Sequence, residues 1–156
     1  MAILSAEIKT NEEKPYVLIS ACLMGCNTRY AGDGKLLSNI NELMTKYNLI
    51  PICPEQLGGL ATPREPSEQR VIDGRIRVIN SLGDDVTAQF EKGAAEALHL
   101  AQLYGCRLAI LKERSPSCGF GQIYDGTFSG HLKEGQGITA SLLRDNGIEI
   151  IGESSL

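Results

Sequence analysis

The chain has 156 residues, 42% of them hydrophobic, and a formal net charge of -4. That length makes a single domain of ordinary size whose core needs no disulfide staples. The acidic balance offers no basic field to a phosphate backbone, which disfavours a nucleic-acid partner, and no apolar run approaches the ~20 residues of a membrane span.

Met1 to Lys14 is mostly polar and holds no apolar signal-peptide core, so residues 1–14 are expected to form a polar N-terminal arm and the chain to be cytoplasmic. Residues 15–156 then make the folded domain. The first apolar run, Tyr16-Val-Leu-Ile-Ser-Ala, reads as a strand that ends at Cys22. A long polar, glycine-containing loop follows to Leu37. Helix one is expected from Ser38 or Asn39 to Tyr47-Asn48, with Asn39 and Glu42 spaced as a capping box. A second strand over 49–53 ends in Cys53-Pro54-Glu55. The segment from Pro54 to Ser67 carries three prolines and Gly58-Gly59, which makes it a second loop without a long regular element.

Beyond it, Asp73-Gly74 sits between alternating apolar and basic residues, the pattern of a hairpin closed by a type I′ turn. Asp84 or Asp85 caps a long helix that runs to Tyr104 and stops at Gly105. A third strand, 107–112, leads into Glu113-Arg-Ser-Pro-Ser-Cys-Gly119 and a loop expected to last until about Gly137. A helix from Ile138 to Asn146 and a strand over 148–151 complete the chain. The alternation predicts a single three-layer α/β domain: a mainly parallel four-stranded sheet, covered on both faces, with a small β-hairpin.

In open α/β sheets ligands bind beyond the carboxyl ends of the strands. The first three strands each lead there into a thiol: Cys22, Cys53 and Cys118. An odd count of five cysteines argues against a disulfide framework and for metal ligation or thiolate chemistry. Three soft thiolates suit zinc, copper(I) or an iron-sulfur cluster. Cys106 precedes its strand, on the far edge, and reads as a packed thiol. Cys26 reads equally as a fourth ligand, a spare thiol near the site or an ordinary loop residue. His99 lies on the long helix and His131 in the last loop, too far apart in sequence to act as a pair.

These runs carry a resemblance. Ser20-Ala-Cys-Leu-Met-Gly with Arg29-Tyr30, Cys53-Pro-Glu with Gly58-Gly-Leu-Ala-Thr-Pro-Arg64, Lys112-Glu-Arg-Ser-Pro-Ser-Cys-Gly119, and Ile123-Tyr-Asp-Gly-Thr-Phe-Ser-Gly130 are together similar to the DUF523 family, which includes the thiouracil desulfidases. The likeness spans nearly everything after residue 14. It implies a [4Fe-4S] cluster held by Cys22, Cys53 and Cys118, with one iron free for substrate, and a catalytic pair of Glu55 and Ser115. Many relatives place the second loop thiol directly before the Arg-Tyr pair; here Thr28 stands there and Cys26 comes two residues earlier. The implied substrate is a small thiolated base, with sulfide released or handed to a sulfur acceptor.

The chemistry agrees with that implication. A coordinatively open iron is a soft Lewis acid matched to a thiocarbonyl sulfur, and no electron transfer is required. Glu55, desolvated beside the rim, is placed to take a proton from an attacking water, and Ser115 to orient that water. Lys112, Arg114, Arg29 and Arg64 are candidates to offset cluster charge or clamp a substrate oxygen. Asp125 to Gly130 resembles a lid, with Phe128 or Tyr124 available to stack on a planar base. The competing reading from another class is a non-enzymatic module in which Cys22, Cys26, Cys53 and Cys118 close a structural zinc site. A thiol redox pair of Cys22 and Cys26 is a third, with spacing wider than the usual two residues.

Overall fold

A computed structural model describes residues 14–156; the expected N-terminal arm, apart from Lys14, lies outside them. Four strands build the central sheet: β1 (Tyr16–Ser20), β2 (Asn48–Ile52), β5 (Leu108–Leu111) and β8 (Glu149–Gly152). Their order is β2-β1-β5-β8, and every pairing is parallel. Successive side chains of β1 alternate between faces, and both faces are buried. On one, Leu18, Ala109, Leu111 and Ile150 pack against Ala97 and Ala101 of α3 (Thr87–Leu103) and Ala140 and Leu143 of α4 (Ile138–Asp145). On the other, Val17, Ile19 and Ile110 pack against Leu43 of α1 (Ile40–Lys46). The three-layer α/β architecture expected from the alternation of strand and helix is present.

Two hairpins are added to this frame. The first, β3 (Ser67–Ile72) and β4 (Arg75–Asn80), is the one legible at Asp73-Gly74. Both turn residues have positive φ, 51° and 75°, as a type I′ turn requires. It covers a small separate core of Val78, Val86 and Phe90. The second, β6 (Phe120–Tyr124) and β7 (Leu132–Gln136), occupies a stretch expected to be loop. Its strands hide little: only Ile123 is fully buried, so the apolar alternation that announces a strand is missing.

One cap differs from expectation. Asn39 makes no side-chain bond to α1, because its φ of -101° and ψ of 19° lie outside the extended region from which a capping side chain reaches back. At the long helix, Asp85 is the capping aspartate of the two the sequence offers: its Oδ1 accepts the Thr87 N–H at 2.9 Å and the Thr87 hydroxyl at 2.6 Å. A four-residue helix, α2 (Pro54–Leu57), starts immediately after Cys53 with proline at its first position. It lies directly on α3. A Cβ at Gly93 would fall 1.8 Å from Pro54 O, and one at Gly58 1.9 Å from Gln89 O. Only glycines permit that approach, and it sets the height of Cys53 and Glu55 over the sheet edge.

Candidate active site

Parallel register brings the carboxyl ends of β1, β2 and β5 to one rim, with Ser20 level with Ile52 and Ile19 with Ile110. Each strand then turns sharply. Cys22 lies in a single 3-10 turn, Ala21–Met24, while Cys53 directly precedes α2. Cys118 sits in a tight loop where Ser115 Oγ accepts the backbone N–H groups of Ser117 and Cys118, both at 3.1 Å. Ser20 Oγ accepts the Lys112 N–H at 2.9 Å, tying the ends of β1 and β5 together.

All five sequence-nominated residues, Cys22, Cys53, Cys118, Glu55 and Ser115, line one cavity of about 690 Å³. Arg29, Arg64, Lys112 and Arg114 line it too, with Tyr124 and Phe128. Two nominated residues fall elsewhere. Cys26 is exposed and outside the cavity wall, and Cys106 is buried in the core, as a packed thiol should be. His99 is exposed on α3.

Burial dominates the electrostatics of the thiols. It pushes Cys22 up to about 11, partly offset by the Lys112 ammonium. Cys53 and Cys118 are raised as well, first by burial and then by the Glu55 carboxylate. Glu55 sits among them, only 8% exposed. One of its oxygens, Oε1, accepts the Ser117 hydroxyl at 2.5 Å. The other, Oε2, faces Cys53 Sγ at 3.6 Å and Arg64 Nη2 at 4.0 Å. Arg64 also donates to Thr28 O at 3.0 Å, which holds the loop after β1 to the loop after β2.

The donor set fits an iron-sulfur cluster better than a single ion. Among the described residues, no three His, Cys, Asp or Glu side chains stand close enough to share one metal ion. A tetrahedral zinc ion with Zn–S bonds of ~2.3 Å needs its sulfurs within about 4 Å of one another. The four-cysteine zinc site is therefore not formed, the more so because Cys26 lies outside the cavity wall. A four-iron cube spreads its cysteines over different irons and takes a wider set. Three soft thiols lining one cavity, Cys22 and Cys118 buried and Cys53 half-buried, with Lys112 and three arginines to offset thiolate charge, suit that demand.

The comparisons with known proteins agree. The model of the 2-thiouracil desulfurase family matches residues 17–155. This chain belongs to that family. A Bacillus subtilis (strain 168) relative, the uncharacterized protein YbbK, is 41% identical over 146 residues, covering 90% of this chain and 97% of its own. Among solved structures, the [4Fe-4S]-dependent thiouracil desulfidase TudS superposes with a TM-score of 0.84 at 44% identity, over 92% of this chain and 93% of that one. The fold expected from the sequence is thus the desulfurase fold.

Several members of the site are not legible in the sequence. Ser117 is wholly buried beside Glu55, although its place inside the Ser-Pro-Ser-Cys motif reads as an ordinary turn position. Glu68, only 8% exposed, accepts the Gly126 and Phe128 N–H groups at 3.0 and 3.1 Å and so fixes the 125–130 loop. Arg70 lies over the Phe128 ring at 5.7 Å. Glu153 reaches back from the carboxyl-terminal turn to Lys112. Nothing in the local sequence marks Glu68 or Glu153, whose partners lie tens of residues away.

Proposed function

We propose that this desulfurase-family chain removes sulfur from the thiocarbonyl of a small thiolated base such as 2-thiouracil, with Cys22, Cys53 and Cys118 as ligands of a [4Fe-4S] cluster. The observation that carries the reading is the meeting of three thiols, remote from one another in sequence, with Glu55 and Ser115 in one cavity. When bound, a cluster with one iron free of cysteine supplies a soft Lewis acid for the thiocarbonyl sulfur.

The chain's own residues supply the rest. Ser115, on the cavity wall, accepts the Ser117 and Cys118 N–H groups and so holds their loop beside the place where a water meets the thiocarbonyl carbon. Glu55 takes a proton from that water as the carbon-oxygen bond forms. The carbon-sulfur bond then breaks with its electron pair on sulfur and the hydroxyl proton passes to that sulfur, so the products are a carbonyl and hydrosulfide, with the first proton on Glu55 and no net oxidation or reduction. Arg64 steadies the Glu55 carboxylate, and Lys112 and Arg29 offset thiolate charge at the rim. Phe128 and Tyr124 offer faces for a planar ring.

Anaerobic reconstitution with iron and sulfide, followed by incubation with 2-thiouracil, tests this. Uracil and sulfide should appear in equal amounts with the reconstituted protein and not with its Cys118→Ala variant. Equal activity in metal-free protein or in Cys118→Ala would overturn the proposal.

A further inference from the structure

Ser115 and Glu55, nominated together as a catalytic pair, share no direct hydrogen bond. The atom between them is Ser117 Oγ. It stands 3.1 Å from Ser115 Oγ and 2.5 Å from Glu55 Oε1. We infer that Ser117 is a positioning residue which joins Ser115 and Glu55 into one unit and fixes the carboxylate for the reaction.

The direction of the bonds follows from counting donors. Ser115 Oγ already accepts two backbone N–H groups, from Ser117 and Cys118. Both its lone pairs are engaged, so its own hydrogen is the one it offers, and Ser117 Oγ is its side-chain neighbour. Ser117 has one hydrogen to give. Glu55 Oε1 at 2.5 Å is a better acceptor than Cys118 Sγ at 3.6 Å. The chain therefore runs from Ser115 to Ser117 to Glu55, with each O–H dipole pointing toward the carboxylate.

Ser117 can hold this position because its backbone is pinned. Its side chain and main chain are completely buried, and its carbonyl accepts the N–H groups of Thr139 and Ala140 at 2.9 and 3.1 Å, at the start of α4. The packing is close enough that a Cβ at Gly137 would lie 2.2 Å from Ser117 O. A hydroxyl on so rigid a backbone holds Oε1 of Glu55, while Cys53 and Arg64 face Oε2. Removing it leaves a buried carboxylate oxygen without its donor, which is costlier than losing an exposed bond.

The pairing stands on geometry alone; its role in turnover rests on the desulfidase reading, and two measurements separate them. The first is a double-mutant cycle on urea unfolding of the metal-free protein. Ser117→Ala should lower the folding equilibrium constant about ten-fold or more in the wild-type background and less than about three-fold in Glu55→Ala. The second is steady-state kinetics of the reconstituted enzyme. At equal iron content Ser117→Ala should lower kcat about 30- to 100-fold, with KM within about three-fold. Ser117→Thr keeps the hydroxyl and should retain most of kcat, whereas the isosteric Ser117→Val should not; this pair also serves if the alanine variant folds poorly.

A coupling under about three-fold, or a kcat in iron-loaded Ser117→Val equal to that of Ser117→Thr, would overturn the assignment. So would a loss of activity that tracks loss of iron, since Ser117 would then be a support for Cys118. If the wild-type enzyme released no sulfide at all while the cycle showed strong coupling, the functional proposal would fail and the Ser117–Glu55 unit would stand.

Discussion

Lys112 Nζ meets Glu153 Oε1 at 2.5 Å, joining the first residue after β5 to the turn that follows β8. The same carboxylate accepts the Glu113 N–H at 2.7 Å, and Glu113 in return accepts both the N–H and the hydroxyl of Ser154. Those bonds hold Glu113 below the usual carboxylate range. The carboxyl-terminal turn is thus a clasp on the segment that leads to Ser115 and Cys118. Glu153→Ala frees a half-buried ammonium on the cavity wall and a backbone donor beside it. Its expected cost is about 1–3 kcal/mol in urea unfolding. A variant as stable as the wild type would show that the clasp adds nothing to stability.

The contact between α2 and α3 is less forgiving. Because a Cβ at Gly93 would overlap Pro54 O, Gly93→Ala must push α2, and with it Cys53 and Glu55, off the sheet edge. A loss of about 1–3 kcal/mol is expected from the overpacking, together with weakened iron retention. Chemical denaturation and iron analysis of the same sample check both effects.

Asp85 gives a pH-dependent prediction remote from the cavity. The Thr87 hydroxyl and N–H, followed by Arg77, hold its carboxyl down at about 2 from an ordinary 3.8. A depressed folded-state value means that the stabilisation is present above pH 3.8 and is lost as pH falls through 2. Asp85→Ala should therefore melt below the wild type at pH 7, with the gap narrowing as the pH drops below 3.8. Thermal melts across that range decide it; a gap independent of pH would show that the charge on Asp85 does not matter.

Phe128 has one ring face under Arg70 and its backbone held by Glu68 in a left-handed conformation, φ 55°. A ring so fixed at the cavity edge suits stacking on a planar base. Phe128→Ala should raise KM for the thiolated base about ten-fold while changing kcat less, and Phe128→Tyr should stay near the wild type. An unchanged KM would assign the stacking to Tyr124 or to neither ring.

The sequence shows some of this directly and hides the rest for physical reasons. The two central strands, β1 and β5, are apolar runs because both their faces are buried, the edge strands β2 and β8 keep shorter apolar stretches, and Asp73-Gly74 announces its turn by backbone need alone. The cysteines are readable because each follows such a run. The β6–β7 hairpin is not, since one buried residue, Ile123, carries no period. Asn39 and Glu42 have the spacing of a capping box, but the backbone of Asn39 does not take the shape that would use it. Ser117, Glu68 and Glu153 act on partners 62, 58 and 41 residues distant, which no local pattern encodes.

The site as described depends on Cys22, Cys53 and Cys118 holding a cluster without help from Cys26. Iron and acid-labile sulfide counted per chain after anaerobic reconstitution measure that directly. About four of each are expected in the wild type and in Cys26→Ser, and near none in Cys118→Ser. A wild type that instead retains one zinc and no iron, or a Cys118→Ser protein that keeps its full iron, would contradict the three-cysteine site.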